Sequence, residues 1–491
     1  MGTAIFRKQI ESKPLAIKMI RKPCLFPLLL IFGCLAPIAS EAETPNILFI
    51  LVDDQGYGDL ERHGNPSLKT PNIDQLHDQS ARFTNFHVSP TCAPSRCALM
   101  SGKHEFKSGV THTIMPGRNM DLKTVTLADV LKSAGYVTGM FGKWHLGHDG
   151  PYRAENRGFD VALTCPEDSQ KFHFDPELLR NNVPEKHQGY RTDIFYDEAM
   201  KFISENRDRK FFCYIPSYTP HAPLEVPEEY SEEYKDLGDR LSHYFGMIAN
   251  LDKNVGRVLK HLEDLGLDKK TLVVYITDNG GTFGVDHHNA GMRGCKGTTW
   301  YGGTRAMSFW RWPNKFKAQA HDSLTAHYDV FPTLASIAEA EVPKAVSSQW
   351  DGVNLHPLLE SKIESLKEKR FVVTHLARWN HKAGQAILHK YFNCSVQDGR
   401  YLLHRVKDCG QEDCPGHACR THRRVHQNKK ALYAKFFHVQ HPDSEEWQLF
   451  DINNDPLQMN NIADKHQDLV AKMSAHYEEW WKTVYPHVKI E

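Results

Sequence analysis

The sequence predicts an α/β domain built on a mostly parallel sheet, followed by a smaller C-terminal α+β unit. Continuous apolar runs of strand length, as expected of strands buried on both faces, alternate with stretches of helical periodicity. After Pro357-Leu358-Leu359 the character changes to a charged stretch over 360–370 and then to short new runs from Phe371. At 491 residues the chain exceeds one ordinary domain. The expected organisation is a leader over 1–42, a large domain over 43–360 and the α+β unit over 361–491.

The leader carries Arg7, Lys8, Lys13, Lys18, Arg21 and Lys22, then an apolar run from Cys24 to Ala39, then small residues near Ser40 and Ala42. This is the pattern of a secretory signal peptide cleaved near 40–42, so an exported protein, periplasmic or secreted, is expected. The run is short for a membrane span and contains Pro27 and Pro37, so no stable span is expected. An uncleaved anchor, or a lipoprotein site at Gly33-Cys34, is the alternative. The net charge is +0, and near −4 without the leader, so no global basic field points to nucleic acid. Hydrophobic residues at 40% and charged residues at 24% are those of a globular chain rather than a disordered one. Cys24 and Cys34 lie in the leader. The other nine cysteines are an odd number for an exported chain, a hint that one thiol is special.

The large domain opens on Asn46-Ile47-Leu48-Phe49-Ile50-Leu51-Val52, which stops at Asp53-Asp54. Phe211 to Ile215 is a second run and leads to His221. Thr271 to Thr277 is a third and stops at Asp278-Asn279, before Gly280-Gly281. Ligands of open α/β sheets collect beyond the carboxyl ends of the strands, so these three polar endings point to one site. Amphipathic stretches at 72–80, 127–134 and 244–265 read as helices, the last with Met247, Ile248, Leu251, Val255, Val258, Leu259 and Leu262 at helical spacing. The stretch 329–334 and a helix after it close the domain. The C-terminal unit is expected to hold short strands near 371–375, 384–392 and 447–451 and a final helix over 464–484.

Cys92-Ala93-Pro94-Ser95-Arg96, followed by Leu99, Gly102 and Lys103, is the string with most chemical content. A cysteine beside an arginine reads as an activated thiolate or as a structural thiol in a turn set by Pro94. Neither reading accounts for the whole string.

The Cys-x-Pro-Ser-Arg string resembles the motif of the type I, formylglycine-dependent sulfatases, arylsulfatase-like members of the alkaline phosphatase superfamily. Further segments match that family in its order: Asp53-Asp54 after a strand, Gly135-Tyr136-Val137-Thr138, Gly142-Lys143-Trp144-His145, His221-Ala222-Pro223, Asp278-Asn279-Gly280, and Lys296 before Gly302-Gly303-Thr304-Arg305. Leu449-Phe450-Asp451 to Asp455-Pro456, with Asn461-Ile462-Ala463, resembles the family's closing segment, so the likeness runs from about residue 45 to the end. Ser101 stands where threonine is usual. Phe141 before Gly142 departs too and reads as packing. Tyr301 stands where many members carry glutamate, a difference expected to bear on substrate fit.

The resemblance implies an alkaline-phosphatase-like fold, with a large mixed β-sheet sandwiched by helices and a smaller C-terminal α+β domain. It implies a sulfuric ester hydrolase whose Cys92 is converted to formylglycine by a formylglycine-generating enzyme. The hydrated aldehyde has two geminal hydroxyls: one attacks sulfur and expels the alcohol, and loss of the other's proton expels sulfate. Asp53, Asp54, Asp278 and Asn279, with residue 92, would hold calcium, a hard cation that prefers oxygen; magnesium demands tighter geometry. Arg96 would hold the hydrate and Lys143 and Lys296 would bind sulfate oxygens. His145 would bond the residue-92 hydroxyl, and His221 would face the leaving oxygen as general acid.

Each of these residues has a plainer reading when taken singly. Paired aspartates and Asp-Asn-Gly make good turns, and one lysine or histidine is usually solvated. Gln55, His287, His288 and Asn289 lie close enough in sequence to touch substrate, or form an exposed loop. Cys394, Cys409, Cys414 and Cys419, with His417, His422 and His426, lack the usual zinc spacings, and disulfides are the expectation in an exported protein. The basic run from His417 to Lys430 would draw in a sulfated glycan, or form a solvated loop. A phosphonate or phosphate ester hydrolase is the nearest competing function. A non-catalytic sulfated-glycan-binding protein is the competitor from another class.

Overall fold

Strands buried on both faces need a partner at each edge, and the computed structural model supplies these in one ten-stranded sheet. It describes residues 44–114, 116–166, 173–366, 369–407 and 446–488. Across the sheet the order is Ala320–His321, Ala81–Phe83, Ser308–Arg311, Thr271–Thr277, Asn46–Val52, Phe211–Pro216, Val137–Phe141, Val161–Thr164, Glu177–Arg180 and Val183–Lys186. The three runs with polar endings are neighbours at its centre. Asn46–Val52 pairs in parallel with both others, placing Leu48 opposite Cys213 and Val273. All residues of the three are buried, which is why they read as unbroken apolar runs.

Alternate side chains enter two cores. Ile47, Phe49 and Leu51 pack with Leu131, Phe331 and Leu334 on one face. Leu48, Ile50 and Val52 pack with Leu251, Val255, Val258 and Ile203 on the other. Each such side chain contributes about 1.5–3 kcal/mol, which pins the register. The helices that cover these faces are Leu127–Ser133, capped by a reciprocal Thr126–Asp129 box, Arg191–Glu205, Asp239–Asp264 and Val330–Ile337. The sheet is thus mixed and flanked by helices, the expected class.

Three expectations are corrected. The helix over 244–265 begins at Asp239, because its first turn is polar and carries no apolar periodicity. The stretch 329–334 does not precede the closing helix; from Val330 it forms that helix. No strand occupies 384–392. Gln385–Leu388 is a helical turn with Ile387 and Leu388 exposed, and the strand follows at Cys394–Gln397.

The C-terminal sheet is antiparallel throughout, in the order Val372–His375, Cys394–Gln397, Tyr401–Arg405, Gln448–Asp451. Helix Gln467–Val488 lies on it and buries Met473, Tyr477, Trp481, Val484 and Val488, a three-to-four-residue repeat. Trp379 and Trp481 pack there against Phe106, which lies just past the Cys92 helix. The expected signal peptide lies outside the described residues. Among those described, no helix is long and apolar enough to cross a membrane.

Candidate active site

The Cys92 string folds as the first turns of helix Cys92–Ser101 rather than as a turn. Pro94 fits because the N–H groups of a helix's first turn have no intrahelical acceptor. The helix ends at Gly102 with φ of 70°, which an L side chain adopts only with strain. Cys92 is 2% exposed and stands beside the carboxyl ends of the central strands, with its Sγ 3.7 Å from Lys143 Nζ.

Asp53, Asp54, Asp278 and Asn279 converge beneath it. The ligand atoms of Asp53, Cys92 and Asp278 lie within 4.8 Å of one another, as do those of Asp53, Asp54 and His221. Arg96, one turn along the helix, donates through Nε and Nη2 to Asp278 Oδ2 at 3.0 and 2.8 Å and through Nη1 to the Lys143 carbonyl at 2.8 Å. Lys143 Nζ is 2.5 Å from Asp53 Oδ2, and Lys296 pairs with Asp54. Asn279 Nδ2 donates to Asp54 Oδ1 at 3.0 Å. Three carboxylates therefore face three side-chain cations in a largely buried site.

Burial sets the electrostatics and the neighbours decide its outcome. Burial alone would raise Asp53, but Lys143, His221, Arg96 and Lys296 hold it well below the usual carboxylate range. Asp278 goes the other way, raised by burial and by the charge of Asp53. Two oxygens stand out: Asp53 Oδ1 and Asn279 Oδ1 are buried with no hydrogen-bond partner among the described residues. Leaving such an atom unpaired costs about 1–3 kcal/mol. Two orphan oxygens beside two further carboxylates form a donor set for a hard cation.

His221 approaches the carboxylates, and His145 lies two residues beyond Lys143. His145, held at φ 63°, donates from Nε2 to the Thr113 carbonyl at 2.8 Å, which leaves Nδ1 as the acceptor of the neutral ring. His221 donates from Nδ1 to the Ala222 carbonyl at 2.7 Å and turns Nε2 toward Asp54 Oδ2 at 3.7 Å. Burial pulls His221 down to about 4 against the opposing pull of Asp54, so the imidazole is neutral near pH 7.

Glycines make the close approaches. At Gly142, with φ of 140°, a Cβ would lie 2.0 Å from the Pro216 carbonyl oxygen, so the chain can cross there and aim Lys143 inward only without one. A Cβ on Gly280 would lie 2.3 Å from the Gly302 carbonyl oxygen, which explains why Asp278-Asn279-Gly280 and the Gly302-Gly303 pair occur together.

Several residues near the site bond within the protein. Gln55 is fully buried, with Nε2 donating to the Asp59 carbonyl at 2.7 Å and Oε1 accepting from Tyr275 at 2.5 Å. His287, His288 and Asn289 bond Ser67, the His63 carbonyl and the Met292 and Gly294 carbonyls, holding their own loop. Tyr301 is buried against Met292, Leu402 and Ile452, so it packs against the C-terminal sheet. Cys394 is a free, buried thiol, so the expected disulfides do not include it. Cys409, Cys414, Cys419 and the 417–430 basic run lie outside the described residues.

Asp59 is a supporting residue with no sequence signal. It accepts from Gly56 N and from Tyr244, whose hydroxyl also lies 2.8 Å from the Asp54 carbonyl, and burial pushes it up to about 7.

A family model described as Sulfatase matches residues 45–340. Human Arylsulfatase A is 32% identical over 380 residues, covering 69% of this chain and 72% of its own. N-acetylgalactosamine-6-sulfatase of Rattus norvegicus is 30% identical over 375 residues, covering 68% and 69%. The solved structure of Ps i-CgsB in complex with k-i-k-neocarrahexaose superposes with a TM-score of 0.73 at 24% identity, covering 89% of this chain and 92% of that one.

Proposed function

Because the chain belongs to the sulfatase family and is a sulfuric ester hydrolase, we propose that it removes sulfate from a sulfated carbohydrate with a bound calcium ion and a nucleophile made by oxidising Cys92. The observation that carries this is the meeting of Cys92, Arg96 and two lysines with a carboxylate cage that holds two orphan oxygens. Asp53, Asp54, Asp278 and Asn279, with an oxygen on residue 92, would hold the ion. A calcium ion there would supply charge that acidifies a hydroxyl and neutralises sulfate oxygens. A hydrated aldehyde at residue 92 would supply one hydroxyl for attack on sulfur, with the alcohol as leaving group, and a second whose deprotonation would release sulfate.

The chain's own groups do the rest. Arg96 spans Asp278 and the Lys143 backbone and so fixes the first helical turn that presents residue 92. Lys143 Nζ, between Asp53 and residue 92, and Lys296 Nζ, beside Asp54, receive the sulfate oxygens as point charges. His145 Nδ1 is the acceptor for a proton leaving residue 92, because Nε2–H is committed to Thr113. His221 Nδ1–H is committed to Ala222, so Nε2 donates to the leaving oxygen only from the imidazolium, which an adjacent anionic ester favours.

This role predicts a dependence on the leaving group. His221→Gln lowers turnover of an alkyl sulfate about 10²-fold or more and that of a nitrophenyl sulfate far less, because a nitrophenolate departs without a proton. Steady-state rates across esters of graded alcohol acidity check this; an equal loss across the series removes His221 from the leaving oxygen.

The saccharide class draws on the N-acetylgalactosamine-6-sulfatase relative. Maturation belongs to the same proposal: a signal peptide over 1–42, export, conversion by a formylglycine-generating enzyme, a catalytic domain over 43–360 and the C-terminal unit over 361–491. Mass spectrometry of the tryptic fragment holding residue 92, after co-expression with that enzyme, tests the nucleophile. The mass loss of a thiol becoming an aldehyde is expected, with faster turnover of aryl sulfate than of aryl phosphonate. An unmodified thiol in a protein that still turns over sulfate esters would overturn the nucleophile, and a phosphonate preference would overturn the sulfate assignment.

A further inference from the structure

The loop over 376–381 in the C-terminal unit contains two consecutive residues in the left-handed region, Ala377 at φ 51° and Arg378 at φ 61°. Neither is glycine, so the chain bears strain at both, and strain of this kind clusters where a side chain must be aimed. The loop is held rigidly from below. Trp379 is buried against Phe106 and Trp481, and its carbonyl accepts from His112 Nε2 at 2.5 Å. Ala377 packs in the same cluster.

Arg378 itself is only partly buried and reaches the other way. Its Nη2 donates to Thr113 Oγ1 at 3.2 Å, and the Thr113 carbonyl accepts from His145 Nε2 at 2.8 Å. One residue therefore separates the guanidinium from His145, which follows Lys143 by two positions. Ile114, next to Thr113 in sequence, is 54% exposed. A partly exposed guanidinium fits a sugar that presents an oxyanion. Its planar fork matches a carboxylate or a sulfate, which an ammonium does not.

We propose that Arg378 is a specificity-determining residue that binds a second anionic group on the saccharide whose sulfate ester is cleaved. The assignment rests on the sulfatase reading and adds a substrate class, saccharides with at least two anionic groups. The scissile sulfate occupies the lysines, and the second oxyanion occupies Arg378 at the rim.

The test compares wild type with Arg378→Gly and Arg378→Lys on nitrophenyl sulfate, on a disulfated hexosamine and on a monosulfated disaccharide bearing a uronate. Glycine accepts φ 61° without strain, so Arg378→Gly folds with an unchanged or higher Tm. Its KM for a doubly anionic sugar, relative to its KM for the aryl ester, rises roughly 10- to 100-fold, the loss expected for a charged hydrogen bond. Arg378→Lys recovers part of that ratio. The doubly anionic sugar whose ratio moves identifies the second group as sulfate or carboxylate. An unchanged ratio for both sugars overturns the assignment, as does an equal loss on all three substrates. Calorimetric binding of the same sugars to Cys92→Ala, with and without Arg378→Gly, reads the contact without turnover. Unchanged affinity overturns the assignment, whereas absent turnover of every ester by the wild type counts against the sulfatase reading alone.

Discussion

Cys92→Ala and Cys92→Ser both lose sulfate ester turnover by at least about 10⁴-fold while keeping the fold, the scale seen when a nucleophile is removed. Serine is the sharper variant. It offers one hydroxyl for attack, and without a second the sulfated residue has no internal route to release sulfate. A single burst of alcohol from Cys92→Ser, followed by arrest with sulfate on residue 92, is the expected kinetic and mass-spectrometric signature. The thiol is small and makes one polar contact, to Lys143 at 3.7 Å, so either change costs stability on the order of 1 kcal/mol. Sustained turnover by either variant would require another nucleophile.

Arg96→Met has the largest expected effect on stability. The guanidinium is 1% exposed and balances Asp278 at 2.8 Å and Asp53 at 3.8 Å. Removing one partner of a buried ion network leaves carboxylate charge uncompensated, at a cost of about 3–5 kcal/mol. The loss depends on pH with a definite sign. Asp278 is already raised well above its ordinary value by burial and by Asp53, and without Arg96 it rises further. A carboxyl raised in the fold favours the folded state below its unfolded pKa and loses that contribution as pH climbs through the folded value. The Tm deficit of Arg96→Met relative to wild type is therefore smallest in acid and grows toward neutral pH. A deficit independent of pH would mean that packing, not charge, dominates at this position.

What was legible in the sequence was what repeats locally. Asn46–Val52, Phe211–Pro216 and Thr271–Thr277 announce themselves because each is buried on both faces, and their polar endings meet because parallel neighbours end at one edge. Strand Val137–Phe141 lies inside the same sheet but carries no such signature. Gly139 interrupts its apolar character, and that glycine is needed because a Cβ would lie 2.8 Å from the Phe202 ring. Glu177–Arg180 and Val183–Lys186 are polar and partly exposed at the sheet's edge, so nothing sets them apart from a loop. In the site, the bonds of Gln55 to Asp59 and of His287 to Ser67 have no trace in the sequence, because closeness in sequence does not fix where a side chain points. The contact between Arg378 and Thr113 spans 265 positions and has no local trace.

The burial of Cys92 sets an order of events in the life of the chain. In the folded protein the thiol occupies the first turn of a helix, nearly sealed from solvent, with Lys143 across from it. Helix Cys92–Ser101 is buried along its whole length, so the folded protein offers a modifying enzyme no exposed residue around the thiol. On the proposed mechanism, oxidation of Cys92 would therefore precede closure of the fold. A chain that missed the step before the central strands and that helix came together would be native in shape and inert, so the active fraction of a preparation would be decided in the interval between synthesis and folding.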